Sequence, residues 1–535
     1  MDMNTFFNTI YVIVGILVGL VCITATIWGA VVYTRARQFG RQQIVLTTTV
    51  VLIIVLLISS ITAFFVYPRA KEITRGIREY SPTSALAPTA TVLPTLTPKS
   101  TVTPTSGNIY HVSKNGNNDD GLSWQTAWNE LNQINWSRIQ PGDTILLDGS
   151  STRMVYTTTL TIGKSGTATA PIRIERAAET GRNGRVEIFG GRSIPLPYCG
   201  QKKYAYQTSG ITTHGIVFGG HAWIIVDGMS WDGIRIYGHS SHGIDMTSNP
   251  SKDIVRNIEI YDNGYASQNG SSWQPETDGH GVYLNGSNLT FEYLDVHDNS
   301  DDEFDTGVGS INNLIIRHSW LHVSREDPNN SGLPFNQCVH QDGYQIYSGG
   351  TQGGILIESS VIGPGLKEGT ILGQQYQSQG VGATVNNVII RNSLFTNKVI
   401  NIMGFPRIRE SNWIIDHVTV ITPGSGQAEF QSLFLEGSNL TVTNSIFYGG
   451  QIYLPDGLAA STNNCQWKTV GSTSSIVGQT IDPRFVTDVS AFSASTPLAQ
   501  IANASFALQS DSPCKGKGSS VTSVAQLIDS STSSG

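Results

Sequence analysis

The sequence predicts an all-β fold of stacked coils, a parallel β-helix, preceded by two transmembrane α-helices. Three observations predict it: a chain rich in Gly, Ser, Thr, Asn, Val and Ile after residue 80, an internal repeat, and two long uncharged apolar stretches at the N-terminus. The first composition favours short strands and tight turns over helices. With 535 residues and a net charge of −7, the chain fits neither a disordered segment nor a basic nucleic-acid binder, so nucleic acid is not an expected partner.

The apolar stretches cover residues 6–33 and 44–67, and neither contains Asp, Glu, Lys or Arg. Each exceeds the roughly 20 residues that cross a bilayer core as a helix. The first five residues carry no Lys or Arg, which argues for a retained span over a cleaved signal. Arg35, Arg37 and Arg41 lie between the spans, and Arg69, Lys71, Arg75 and Arg78 follow the second, so charge counting alone nearly ties. Residues 81–106 decide the orientation, because Pro recurs there among Thr and Ser as in an extended stalk. The expected division is an anchor at 1–80, a linker at 81–108, a β-helix at 109–520 and a flexible tail at 521–535. The β-domain is expected outside the cell membrane. Cys22 lies in the first span, and Cys199, Cys338, Cys465 and Cys514 lie beyond the stalk, where either disulfides or scattered thiols fit.

Self-alignment superposes Val226-Asp227-Gly228, Val255-Arg256-Asn257, Phe291-Glu292-Tyr293, Ile316-Arg317-His318, Ile357-Glu358-Ser359, Ile390-Arg391-Asn392, Ile415-Asp416-His417 and Val442-Thr443-Asn444. Steps between the third residues run from 25 to 41, so the smallest unit is too short for a crossover helix and the longer ones carry inserted loops. Coils of this size, stacked, pair each strand with the coils above and below. The Asn257, His318, Ser359, Asn392, His417 and Asn444 column reads as a side-chain ladder at a turn, not as a catalytic row.

Both ends of the repeat carry further motifs. Tyr110-His111-Val112-Ser113, Gly116, Asp120-Gly121, Trp124, Ala127-Trp128 and Pro141-Gly142-Asp143-Thr144-Ile145-Leu146-Leu147 stand at its start. Asp482-Pro483-Arg484-Phe485, Phe506-Ala507-Leu508 and Ser512-Pro513-Cys514 stand at its finish. Over residues 109–517 the chain resembles the pectate-lyase-like family of right-handed parallel β-helix proteins. The resemblance implies a right-handed coil, a short amphipathic helix within 126–139 capping the open end, and a polysaccharide substrate gripped along an outer groove. Gly279-His280-Gly281 resembles a polygalacturonase motif, but the Asp301-Asp302 pair follows it instead of preceding it. Trp413-Ile414-Ile415-Asp416-His417 resembles a pectate-lyase motif with one residue added, and it falls on the ladder.

A second column aligns Ser241-His242-Gly243, Gly279-His280-Gly281, Asp305-Thr306-Gly307, Gln341-Asp342-Gly343 and Lys367-Glu368-Gly369. Its polar members, one strand spacing of about 4.8 Å apart, place His280, Asp305, Asp342, Lys367 and Glu368 in one candidate catalytic patch. Inserted loops at 268–277 and 325–339 enter the chain beside it. Two chemistries fit. In uronate β-elimination, Asp298, Asp301, Asp302, Glu303 and Asp305 offer oxygen ligands for Ca²⁺, with Lys367 or His280 as base. Glycoside hydrolysis instead draws a carboxyl pair from Asp305, Asp342 and Glu368. A non-catalytic surface adhesin or glycan-binding protein is the alternative from outside enzymology.

Overall fold

The computed structural model describes residues 107–532 except 193–210, 265–266, 270–271, 275–278, 328–329, 335–340, 347–350, 367, 372–383, 397–399, 402–408, 423–430, 435–436, 455–457, 470–477 and 494–495. The two apolar spans and the stalk lie outside the described residues, as do Cys199, Cys338 and Lys367.

The chain winds into a parallel β-helix. Every pairing within the 27-stranded main sheet is parallel, and strands pair with the next coil instead of with their chain neighbours. One face shows the logic. Ile174, Val226, Val255, Phe291, Ile316, Ile357, Ile390, Ile415 and Val442 stand in successive register, and all are at most 1% exposed. These include the first members of all the repeat triplets, so the sequence alignment and the physical register coincide. Their side chains alternate with outward polar ones, which puts a continuous apolar stack on the axis.

The second triplet position forms a charge ladder on the outer surface. Arg256 bonds Asp227 through Nε at 2.6 Å and approaches Glu292 at 3.4 Å, Arg317 reaches Glu292 at 2.7 Å, and Arg391 reaches Glu358 at 2.7 Å. The third position turns the corner in the left-handed region, with φ of 60° at Asn257, 50° at His318, 49° at Ser359, 48° at Asn392, 51° at His417 and 51° at Asn444. That conformation admits Asn and Gly most easily and excludes β-branched residues, which accounts for the composition of the column. After the corner, hydroxyls continue upward. Ser319, Ser360, Ser393 and Ser445 each donate to the carbonyl two residues back, while Ser319 N–H donates to Ser360 Oγ and Ser360 N–H to Ser393 Oγ. A further Asn ladder runs down another corner, where Asn412 (φ 58°) donates to Asn387 Oδ1 and Asn439 to Asn412 Oδ1.

The ends are closed as their motifs imply, with two corrections. The expected cap within 126–139 is a single 3-10 turn, Leu131–Gln133, not an amphipathic helix. Trp128 is committed to backbone pairing with the first strand, its N–H donating to His111 O and its carbonyl accepting from Ser113 N–H, which leaves too few residues for helical turns. Trp128, Leu131, Ile134 and Ile139 still plug the core. At the other end, residues 521–535 are not a plain flexible tail, because Val524–Thr532 is an α-helix with Val524 and Leu527 buried. It belongs to an apolar cluster with Phe485, Phe492 and Phe506 that flanks the solenoid. A Cys465–Cys514 disulfide ties this closing segment to a strand of the stack.

Asp253 is one buried carboxyl outside any cluster. It is 1% exposed; Oδ1 accepts Ile224 N–H at 2.8 Å, and Oδ2 has no hydrogen-bond partner among the described residues. Burial raises its pKa to about 7, against the lowering effect of that bond. A folded-state value above the unfolded one means the native state binds the extra proton, so stability falls as pH rises from about 4 to 7. Urea unfolding of the native chain and of Asp253→Asn across that range should differ by a slope of at most about 1.4 kcal/mol per pH unit, the share of one proton, with the native chain falling more steeply as pH rises. At the corner, Asn412→Val is expected to cost about 2 kcal/mol or more, and Asn412→Gly clearly less. Equal losses in thermal melts would contradict the left-handed assignment.

Candidate functional site

One outer face gathers most of the sequence-predicted residues. The strand pairs Ile216 with Ile244, Ile244 with Val282, Val282 with Phe304, and Phe304 with Tyr344 set the register. The residues two positions before these line up as His214, His242, His280, Asp302 and Asp342, and Asp342 pairs in turn with Glu368. The outward residues one position after them form a parallel row of Val217, Asp245, Tyr283, Asp305 and Gln345.

This register corrects the second sequence column at one coil. Asp305 does not follow His280 in the same column; Asp302 does, and Asp305 sits opposite Tyr283 in the neighbouring row. The cause is local. Glu303 stands where Gly281 and Gly343 stand in adjacent coils, and the glycine used for alignment, Gly307, falls where the pairing slips between Leu284 and Gly286. Glycine at position 281 is needed for close approach, since a Cβ there would meet Val296 Cγ1 at 2.4 Å.

The site itself is compact and buried. His280, Asp302 and Asp305 each offer one ligand atom, all within 4.8 Å of one another, and all three residues are buried. His280 Nε2 stands 3.3 Å from Asp305 Oδ2, and Asp302 Oδ1 accepts Asp342 N–H at 3.0 Å. The imidazoles of His214, His242 and His280 stack at 5.1 and 5.2 Å, with Tyr283 packed against the last two. Burial, then the neighbouring His214, pushes His242 down to about 3, and burial followed by His242 holds His280 well below its ordinary value. Both are neutral rings at physiological pH. Asp302 is held well above the usual carboxylate range by burial first, then by Asp301, Asp342 and Asp305.

The other expected ligands diverge. Asp298 is fully buried and turned to His297 Nδ1 at 2.8 Å and to the N–H groups of Ser324 and Arg325. Glu303 is buried against Asn299, and burial keeps its carboxyl well above the ordinary range. Asp301 is half-buried beside Asp302. Glu368 enters through its backbone pairing with Asp342. The two expected loops each contain an antiparallel hairpin, Ser267–Asn269 with Ser272–Gln274 and Glu326–Asp327 with Asn330–Pro334. Tyr283, His242, His214, Asp245 and Gln345 were not among the predicted site residues. For His214 and His242 the signal was present as the recurrent His214-Gly215-Ile216, His242-Gly243-Ile244 and His280-Gly281-Val282.

A divalent cation fits this donor set. Asp302, Asp305 and the adjacent Asp342 bring carboxylates into one buried place, where burial first and their mutual repulsion second raise the Asp302 carboxyl, and a dication there would relieve that repulsion.

Fold and site together define a parallel β-helix with a buried acidic and histidine cluster on one outer face. No family model matches the sequence, and no curated protein matches it. Among solved structures, a pectate lyase aligns at 18% identity over 77% of this chain and 92% of its own, with a TM-score of 0.40. A GH136 lacto-N-biosidase from Eubacterium ramulus aligns at 12% identity over 70% of this chain and 67% of its own, with a TM-score of 0.42. An alginate lyase from Paenibacillus sp. aligns at 15% identity over 65% of this chain and 96% of its own, with a TM-score of 0.28.

Replacing Asp302 removes a carboxyl that is both buried and beside other carboxyls. Asp302→Asn is expected to unfold at a higher temperature than the native chain in chelator. A melt in which Asn destabilises in chelator would contradict the repulsion.

Proposed function

We propose that this chain is a membrane-anchored, polysaccharide-active β-helix protein that acts on acidic glycans by β-elimination at the Asp302, Asp305, Asp342 and His280 cluster. The convergence of carboxylates from successive coils carries the reading. A uronate substrate is itself anionic, and an acidic site receives it only through a bridging cation; Ca²⁺, when bound, supplies that bridge and neutralises the sugar carboxylate. Asp302, Asp305 and Asp342 would hold the cation. His280, neutral and directed at Asp305, fixes that carboxylate. Lys367, one residue before the Asp342 partner Glu368, takes the C5 proton. The C5–H electrons form the C4–C5 double bond, the C4–O4 bond breaks with its electron pair going to O4, and the leaving O4 takes a proton from water.

The coils wind right-handed, the hand of nearly all parallel crossovers. Residues 1–80 anchor the protein and 81–108 form the stalk, so the substrate is a glycan at the outer cell surface. Glycoside hydrolysis is the second reading, supported by the raised pKa of Asp302, which burial and the neighbouring carboxylates cause and which suits the acid of an acid–base pair.

Incubation of the full-length chain with pectate, alginate and neutral glycans, with and without Ca²⁺, distinguishes these readings. Unsaturated uronate ends that need Ca²⁺ and fall about 10²-fold or more in Asp302→Asn and Lys367→Ala are expected. Saturated reducing ends would replace elimination with hydrolysis. Glycan binding without any cleavage would leave an adhesin.

A further inference from the structure

A second cluster of metal-ligating side chains lies on the next face of the coil and takes no part in the proposed elimination. Asp295, His297 and His322 each offer one ligand atom, all within 4.8 Å of one another. Register puts them there: Glu259 pairs with Asp295, Asp295 with Trp320, and His297 with His322, so three adjacent coils contribute to one outward patch. His322 Nε2 stands 2.9 Å from Asp295 Oδ1, and His297 Nε2 stands 3.3 Å from Glu259 Oε1. Ligand atoms around a tetrahedral zinc ion at about 2.0–2.2 Å stand roughly 3.3 Å apart, which is the scale of these separations.

The surroundings are those of ligands held in place. His297 Nδ1 faces Asp298 at 2.8 Å, which directs Nε2 toward the cluster. Asp298 is itself fixed by Ser324 N–H, Arg325 N–H and Ser324 Oγ. Arg235 takes Glu259 Oε2 and leaves Oε1 facing His297. The Trp320 ring lies on His322 at 3.4 Å between centroids and is anchored by its own N–H to Gly363 O at 2.9 Å. His322 is 3% exposed, while the side chains of Asp295 and His297 keep 13% and 12%, enough for an ion to enter from solvent.

We propose that Asp295, His297 and His322 form a binding site for a borderline divalent transition ion, zinc by preference, with Glu259 beside the fourth position. Two imidazoles and a carboxylate select such an ion over Ca²⁺, which takes oxygen ligands. The site is independent of the acidic cluster on the neighbouring face.

Titration of the metal-free full-length chain with Co²⁺ alone tests this. One equivalent should bind with the intense visible absorption of a four-coordinate ion, and Zn²⁺ should displace it. His322→Gln and Asp295→Asn should each weaken binding at least tenfold, while Asp302→Asn leaves it unchanged. His322→Cys should retain the ion and add a thiolate-to-cobalt charge-transfer band, a gain that a misfolded variant does not produce. Absence of stoichiometric Co²⁺ binding, or binding indifferent to both His322→Gln and Asp295→Asn, would overturn the proposal. So would loss of the signal in Asp302→Asn alone, which places the ion in the acidic cluster.

Discussion

Parallel register between coils is the constraint on which everything else in this protein rests. A residue fixed in one coil has its counterpart about 4.8 Å away in the next, so a property repeated along the sequence becomes a column in space. Apolar residues make the axial stack, alternating Arg with Asp or Glu makes a charge ladder, and Asn, Ser and His make corners whose groups satisfy one another. Each ladder bond is worth only about 0.5–1.5 kcal/mol, but none orders a group that its neighbours have not already ordered. Aromatic side chains obey the same rule. Phe189, Tyr237, Tyr261, His297 and His322 stack at 4.8–5.2 Å, close to the strand spacing itself.

The same constraint sets how much could be read from sequence. The repeat triplets were legible because each position does one job: an inward apolar residue, an outward charge, then a residue that tolerates positive φ. Left-handed backbone narrows the choice so far that Asn257, Asn392, His417 and Asn444 announce the corner unaided. The polar column was less legible because glycine marked it, and glycine has more than one reason to occur. At one coil Glu303 takes the place of the column glycine, and Gly307 offers a false match in a slipped strand. Asp302 therefore takes the column place that the alignment gave to Asp305. The capping helix came only from the family resemblance, and it fails for a different reason: the backbone of Trp128 is consumed by pairing with the first strand.

The acidic cluster departs from the pattern seen elsewhere in the fold. Ladder carboxylates such as Glu292 have Arg partners, whereas burial and the neighbouring carboxylates of Asp301, Asp342 and Asp305 hold the Asp302 carboxyl well above its ordinary range. Folding does not require this arrangement, since the neighbouring coils manage with His280 and His242 in the same column. Destabilising chemistry retained in a rigid scaffold is the usual mark of a site held for binding or catalysis. The neutral histidine stack beside it supplies shape without adding charge.

A double-mutant cycle in denaturant unfolding tests the convergence most directly. Asp302→Asn and Asp305→Asn, singly and together in metal-free buffer, should be non-additive by at least about 0.5 kcal/mol, because each relieves repulsion of the other. Asp302→Asn combined with Asp416→Asn, three coils further along, should be additive. Additivity in the first pair would contradict the placement of these carboxylates in one site.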